Sequence, residues 1–407
     1  VTKIQESSTE WLNAQSPSMC LAKWYHVSLH LTNGRTHSCY HPPTHKINIE
    51  DIKYKASALH NTDQKILERK QMLRGEKPEG CKYCWSLEDQ GNLSDRHYRS
   101  SEHWALPYRD SASANLEPNP TYVEVNFNQS CNFKCSYCSP HLSTAWEEEI
   151  KEFGPYPTSA PHNAIQALDT LELMPLKVAN KDNAYVEAFW RWWPELYNTL
   201  LVFRMTGGEP LMDKNTYRVF DYVLANPSPK LHLNVTSNFS VDEKSWQKYL
   251  SYVKQLCDGR IEHFMQYVSL DGWGSQAEYI RHGLDFDLLW DRVNQFLTEV
   301  PSYNSLTFIV TMNNLSVTSL ENLFAGILGL RNTYSKTYQR VWFDTPVLRE
   351  PAWQSLQILP EAYADRLEHL WAWMIRQSET PEDPFHGFKD YEIARLDRDI
   401  AWMRAGQ

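Results

Sequence analysis

The sequence predicts an α/β fold: a partial barrel of six strand–helix units, a small cysteine-rich α+β segment before it, and a helical extension after it. Three observations lead there. From Thr121 onward, short β-rich runs alternate with helical stretches, the pattern of a parallel sheet with crossover helices. The polar and glycine-containing motifs fall just after those runs, where parallel barrels gather their functional groups. Seven of the eight cysteines stand in patterned positions, four before the alternation and three in its first loop.

The strands are expected at 122–128, 200–205, 231–236, 263–270, 306–311 and 340–343. A helix opens at Ser143/Thr144, with Thr144 and Glu147 at capping-box spacing, and stops before Gly154. An insertion over 155–198 carries Phe189-Trp190-Arg191-Trp192-Trp193, read as a packed helix. Further helices are expected at 215–225, 241–256, 286–300 and 319–330. Pro346 and Pro351 end the pattern, and 362–377 and 391–403 read as helical. The resulting division is 1–118 for the cysteine-rich segment, 119–350 for the barrel and 351–407 for the extension.

In the first segment, residues 24–31 alternate and run into Asn33-Gly34, the pair favoured in a type I′ hairpin. That register sets Cys39 opposite Ser28. A straight strand would leave Cys20 about 26 Å away, at roughly 3.3 Å per residue. For the two cysteines to share a site, the strand must begin near Trp24 with 19–22 folding back. A helix over 62–73, capped by Asn61 or Thr62 and stopped at Gly75, leads to Cys81-Lys82-Tyr83-Cys84. Cys20, Cys39, Cys81 and Cys84 suffice to close four irons of a cluster or to saturate one zinc. His26 and His30 share a strand face and read as ordinary surface or packing histidines, and Cys257 as a small buried hydrophobe.

The first barrel loop holds Cys131, Cys135 and Cys138 in a C-x3-C-x2-C pattern, with Tyr137 before the last cysteine. Three thiolates can hold three irons of a [4Fe–4S] cluster and leave the fourth open to bind something. Gly207-Gly208-Glu209-Pro210 follows the second strand, a turn that lets a ligand approach the backbone and presents one carboxylate. Asn238 ends the third strand, and Ser269 and Asp271 end the fourth.

With those motifs in that order, residues 121 to about 345 resemble the radical S-adenosylmethionine (SAM) superfamily. The pair Cys20…Cys39, spaced C-x13-G-x4-C, resembles the opening of the auxiliary-cluster motif of its SPASM/twitch branch. The usual auxiliary segment follows the barrel, whereas these cysteines precede it. The resemblance implies that Cys131, Cys135 and Cys138 ligate a [4Fe–4S] cluster whose open iron takes the amino and carboxylate groups of SAM. It implies that Tyr137 lies against the adenine and that Gly207, Gly208 and Glu209 hold the amino group. Ser269, Asp271 or Asn238 would reach the ribose or carboxylate, and Arg281 the carboxylate. No catalytic side chain is assigned beyond that site. Cys20, Cys39, Cys81 and Cys84 would hold a second [4Fe–4S] cluster, with zinc as the alternative.

The implied activity is reductive cleavage of SAM to a 5′-deoxyadenosyl radical that abstracts a substrate hydrogen, modifying a peptide or protein side chain. A small-molecule substrate (a sugar, nucleoside or cofactor precursor) is the alternative, and a non-catalytic Fe–S or zinc protein a remote one. A low-potential donor such as flavodoxin or ferredoxin is expected as a partner. The formal net charge of −10 argues against general nucleic-acid or anionic-membrane binding. No run approaches the ~18–20 apolar residues of a membrane span, and the opening Val1-Thr2-Lys3-Ile4-Gln5-Glu6 has no signal-peptide core. A cytoplasmic location is the expectation.

Overall fold

The computed structural model describes residues 3–177 and 182–406. Val1 and Thr2 of the polar opening, and positions 178–181 of the expected insertion, lie outside the described residues. In chain order the strands are β1 (His26–His30), β2 (Arg35–His37), β3 (His45–Lys46), β4 (Tyr122–Asn126), β5 (Lys134–Cys135), β6 (Val202–Thr206), β7 (Ser228–Ser237), β8 (Ile261–Ser269), β9 (Arg281–His282), β10 (Ser305–Ile309) and β11 (Val341–Asp344). The chain is mixed α/β, with parallel strands separated by helices. It divides into two compact units, one made of 1–128 and 175–206, the other of 129–174 and 207–407.

In the first unit β4 pairs in parallel with both β6 and β1. The N-terminal strand thus extends the ladder that holds Tyr122–Asn126, and β2 and β3 continue it antiparallel. The hairpin differs from the sequence expectation. Ser28 pairs with His37, not Cys39, because residues 31–34 form a four-residue connection. Gly34 has φ +69° but Asn33 is not in the positive-φ region, so this is no type I′ turn, which needs both. The strand does not run through Cys20. It begins at His26, and Leu21–Tyr25 before it form a short helix that starts directly after Cys20. Met19, Leu21, Trp24, Met72, Trp85 and Trp104 form the core beneath these elements. His26 is fully buried against Tyr40, Trp104 and Tyr122, the packing one of the two roles expected of it. Ala184–Tyr197 is the expected aromatic helix, with Phe189, Trp192 and Trp193 buried.

In the second unit β7, β8, β10 and β11 pair in parallel. Helices Lys214–Ala225, Glu243–Leu256, Phe286–Glu299 and Leu320–Tyr334 alternate with them. The side chains of Asp213, Asp242 and Asp285 cap the first three, each accepting a first-turn N–H, contacts worth ~1 kcal/mol each. The helix Thr144–Phe153 is capped by Ser143, which accepts the N–H of Trp146, and not by the Thr144/Glu147 box. Thr144 is occupied elsewhere, as shown below. Helices Glu361–Arg376 and Asp390–Arg404 form the C-terminal extension. Arg331 and Glu392, both fully buried, join the last of these to Leu320–Tyr334 through an ion pair of 2.5 Å. Among the described residues no helix is long and apolar enough to cross a membrane.

The sequence reading assigned no structure to the helices Lys3–Gln15, Ile49–Tyr54, Asp95–Ser100 and Gly274–Ile280. It also missed the two-residue ladder of β5 with β9, in which Lys134 faces His282 and Cys135 faces Arg281.

Candidate metal and cofactor centre

The three-cysteine loop is pinned on every side by polar groups of the second unit. The Thr144 hydroxyl accepts the N–H of Cys131 and donates to its carbonyl, both at 3.1 Å. Ser143 donates to Phe133 O at 2.7 Å, and the Trp146 indole donates to Cys135 O at 2.9 Å. Ser136 and Gln354 exchange two hydrogen bonds of 2.9 Å, side chain to side chain and Gln354 amide to Ser136 carbonyl. His162 bonds to Tyr137 O at 3.1 Å and stands edge-on to Trp353.

Cys135 is buried, and Cys131 and Cys138 are half-buried. Burial pushes the Cys131 thiol up to about 12, with Glu209 and Cys135 adding to the rise. Burial also raises Cys138, with Cys135 and Cys131 as further contributors, so the three thiols are close enough to feel one another. Burial raises Cys135 as well, opposed by the Arg281 guanidinium.

The glycine turn is docked directly on this loop. The N–H of Glu209 donates to Ser130 O at 2.6 Å. A Cβ on Gly208 would sit 2.4 Å from that same carbonyl oxygen, so only glycine allows the approach. Gly207 has φ +117°, again a glycine conformation. The Glu209 carboxylate is buried and accepts N–H groups from Leu211 at 3.0 Å and Asn238 at 2.7 Å. Burial lifts its pKa to about 7 despite those donors. The Asn238 side chain donates to Asn132 in the cysteine loop at 2.9 Å. Three motifs far apart in sequence are thereby knit into one site.

Asp271, Arg281 and Tyr137 form a second buried group. Arg281 Nε and Nη2 lie 2.9 and 3.0 Å from the two oxygens of Asp271, and Nη2 donates to the Tyr137 hydroxyl at 2.6 Å. Tyr137 donates to Asp271 at 2.7 Å, and Asp271 also accepts the Thr311 N–H at 2.8 Å. The guanidinium expected to meet a ligand carboxylate is therefore engaged with Asp271. Its Nη1 points to Cys135 Sγ at 3.6 Å. Ser269 ends β8, partly exposed, and makes no side-chain hydrogen bond to the others among the described residues. Sequence reasoning missed Asn132, Thr144, His162 and Gln354. Their roles depend on tertiary contact, as with Gln354, which reaches Ser136 across 218 residues.

The first unit gathers the other four cysteines. Cys20 immediately precedes Leu21–Tyr25, Cys39 lies just past β2, and Cys81 and Cys84 bracket the start of the helix Lys82–Glu88. All four line one pocket. Burial pushes Cys20, Cys39 and Cys84 up to about 12, and each is raised further by other members of the set. Lys23, Arg96 and Arg99 line the same pocket. Lys23 is held above the usual lysine value: its burial works against the charge, but Cys81 and its partner Glu68 outweigh that. Arg96 pairs with Glu88 at 2.8 Å. Among the described residues, no three His, Cys, Asp or Glu side chains converge on a single-ion site.

No protein-family model matches the chain, and no curated protein matches it. Among solved structures it is similar to Streptococcus suis SuiB bound to S-adenosylmethionine, with a TM-score of 0.39 and 13% identity over 86% of this chain and 69% of that one. SuiB alone gives the same score and identity over 86% and 68%. SuiB bound to precursor peptide SuiA gives them over 89% and 70%. A likeness this distant decides neither the family nor the activity of this chain.

Proposed function

We propose that the chain is a radical SAM enzyme, with Cys131, Cys135 and Cys138 holding a [4Fe–4S] cluster and the Gly207-Gly208-Glu209 turn holding SAM beside it. One observation carries this reading: the Glu209 N–H bonded to Ser130 O joins the turn that carries this carboxylate to the residue before Cys131, whose thiol Glu209 raises. The donor set fits the group, since thiolates are the usual ligands of such clusters and three of them leave one iron for a further ligand. When bound and reduced, such a cluster supplies one electron to the sulfonium of SAM, giving methionine and a 5′-deoxyadenosyl radical that takes a hydrogen atom from substrate.

The protein's own part is to bind, orient and keep water out. Ionised Glu209 accepts a hydrogen bond from the SAM amino group, and Gly207 and Gly208 let SAM lie close to the backbone. Tyr137, its hydroxyl fixed by Arg281 and Asp271, offers a ring face to the adenine. Ser269 and Asn238 stand at strand ends where ribose or carboxylate oxygens would lie. The substrate, on the resemblance alone, is a peptide or protein side chain, and the electron comes from a flavodoxin or ferredoxin.

The division into an auxiliary module (1–118), a partial barrel (119–350) and a helical extension (351–407) belongs to the same reading. Cys20, Cys39, Cys81 and Cys84 are proposed to hold a second [4Fe–4S] cluster. The four line one pocket with Lys23 and Arg96, cations that suit any thiolate-bound anionic group, and zinc is the alternative occupant. Anaerobic reconstitution tests both sites. About eight irons and eight sulfides per chain are expected, and about four irons with one zinc would contradict the second cluster.

A further inference from the structure

The β5–β9 ladder sets Arg281 directly across from Cys135, and Ser136 N–H donates to Ile280 O at 2.7 Å alongside. Gly283 completes the approach, because a Cβ there would sit 2.8 Å from the Phe133 ring. Arginine carries five N–H donors in a fixed fork. Nη2 donates to Asp271 and Tyr137, and Nε lies 2.9 Å from the second Asp271 oxygen, which holds the fork and leaves Nη1 aimed at Cys135 Sγ at 3.6 Å. Arg281 and Asp271 are almost wholly buried, 7% and 0% exposed, so water does not compete for these bonds.

We propose that Arg281 is a positioning residue that sets the reduction potential of the cluster held by Cys131, Cys135 and Cys138, acting through an N–H···S bond to Cys135. This rests on the iron–sulfur reading above. A donor on a ligating sulfur stabilises the more negative, reduced state and so raises the potential; hydrogen bonds to the sulfurs are among the levers that set it. Asp271 serves this bond twice. It orients the fork, and it cancels the guanidinium's charge, leaving the N–H dipole as the local effect.

The test uses the full chain, reconstituted anaerobically, in a Cys81→Ala background so that one cluster contributes. The Arg281→Met/Asp271→Asn double variant removes the donor without stranding a buried charge. Iron and sulfide are counted, and the midpoint potential is read by redox titration of the reduced-cluster EPR signal without SAM. The expected result is an undiminished iron count and a midpoint shifted to more negative potential. An unchanged or more positive midpoint at full iron loading overturns the inference. If the double variant does not load, Arg281→Lys is titrated instead, since it keeps the charge but not the fork. A negative shift supports the inference and no shift overturns it. A parent protein that binds no cluster at Cys131, Cys135 and Cys138 overturns the functional reading itself, a result distinct from an unshifted potential.

Discussion

The N–H of Glu209 donates to the carbonyl of Ser130 at 2.6 Å, joining the glycine turn to the residue that precedes the first loop cysteine. The Glu209 carboxylate, lifted to about 7 by burial, sits where a cation would discharge its desolvation cost.

On the proposed reading, that placement gives SAM binding a pH dependence. Only ionised Glu209 accepts from the SAM amino group with full charge assistance, so affinity for SAM should rise as pH climbs through about 7. In the ligand-free protein the sign is opposite. With the folded value above the ordinary 4.5, the contribution of this group to stability is full below about 4.5 and is lost as pH rises through about 7. Equilibrium dialysis with reconstituted protein from pH about 6 to about 8 should show binding tighten roughly tenfold, the change in ionised fraction of a group with a pKa of about 7 over that range. Glu209→Gln should bind more weakly and without that slope.

The reciprocal Ser136–Gln354 pair ties the segment after β11 to the cysteine loop. Gln354→Ala removes two hydrogen bonds, each worth about 0.5–1.5 kcal/mol. The loop should loosen, and the visible absorbance of the reconstituted cluster should bleach several-fold faster in air. An unchanged bleaching rate would mean that the pair does not hold the loop.

Arg331→Met should destabilise the fold by about 3–5 kcal/mol, because it leaves the Glu392 carboxylate buried without its partner. Arg331→Met/Glu392→Leu should recover most of that loss. Denaturant titration of both variants checks the pair.

Cys81→Ala should lower the iron content by about four per chain, since four thiolates close one cluster. It should leave 5′-deoxyadenosine formation from SAM measurable, while turnover of the natural substrate is lost. Loss of SAM cleavage in a variant still holding about four irons would assign those four cysteines a different role.

Much of this was legible in the sequence, for identifiable reasons. The strand–helix alternation from Thr121 is set by residue type over windows longer than any local exception, so the parallel pairing and most element bounds followed from it. The helix after Thr62 carried its own start and stop signals in Thr62 and Gly75, and both act as expected. The Asn33-Gly34 register failed because loop length is fixed by the packed context. A Cβ on Gly34 would lie 2.2 Å from Tyr185, more than 150 residues away. Thr144 left its expected cap for the same kind of reason: the Cys131 backbone offered it two bonds at once. Arg281 could be flagged as a charged residue beside a motif, but its partner could not. Only the short β5–β9 ladder, with no propensity signal of its own, places it across from Cys135.

The central claim is tested most directly by incubating the reconstituted, reduced protein with SAM under anaerobic conditions and quantifying 5′-deoxyadenosine and methionine. The wild-type chain should form both in equal amounts, and Cys135→Ala should form neither. A fully iron-loaded wild-type chain that leaves SAM intact, or equal product from Cys135→Ala, would contradict the account.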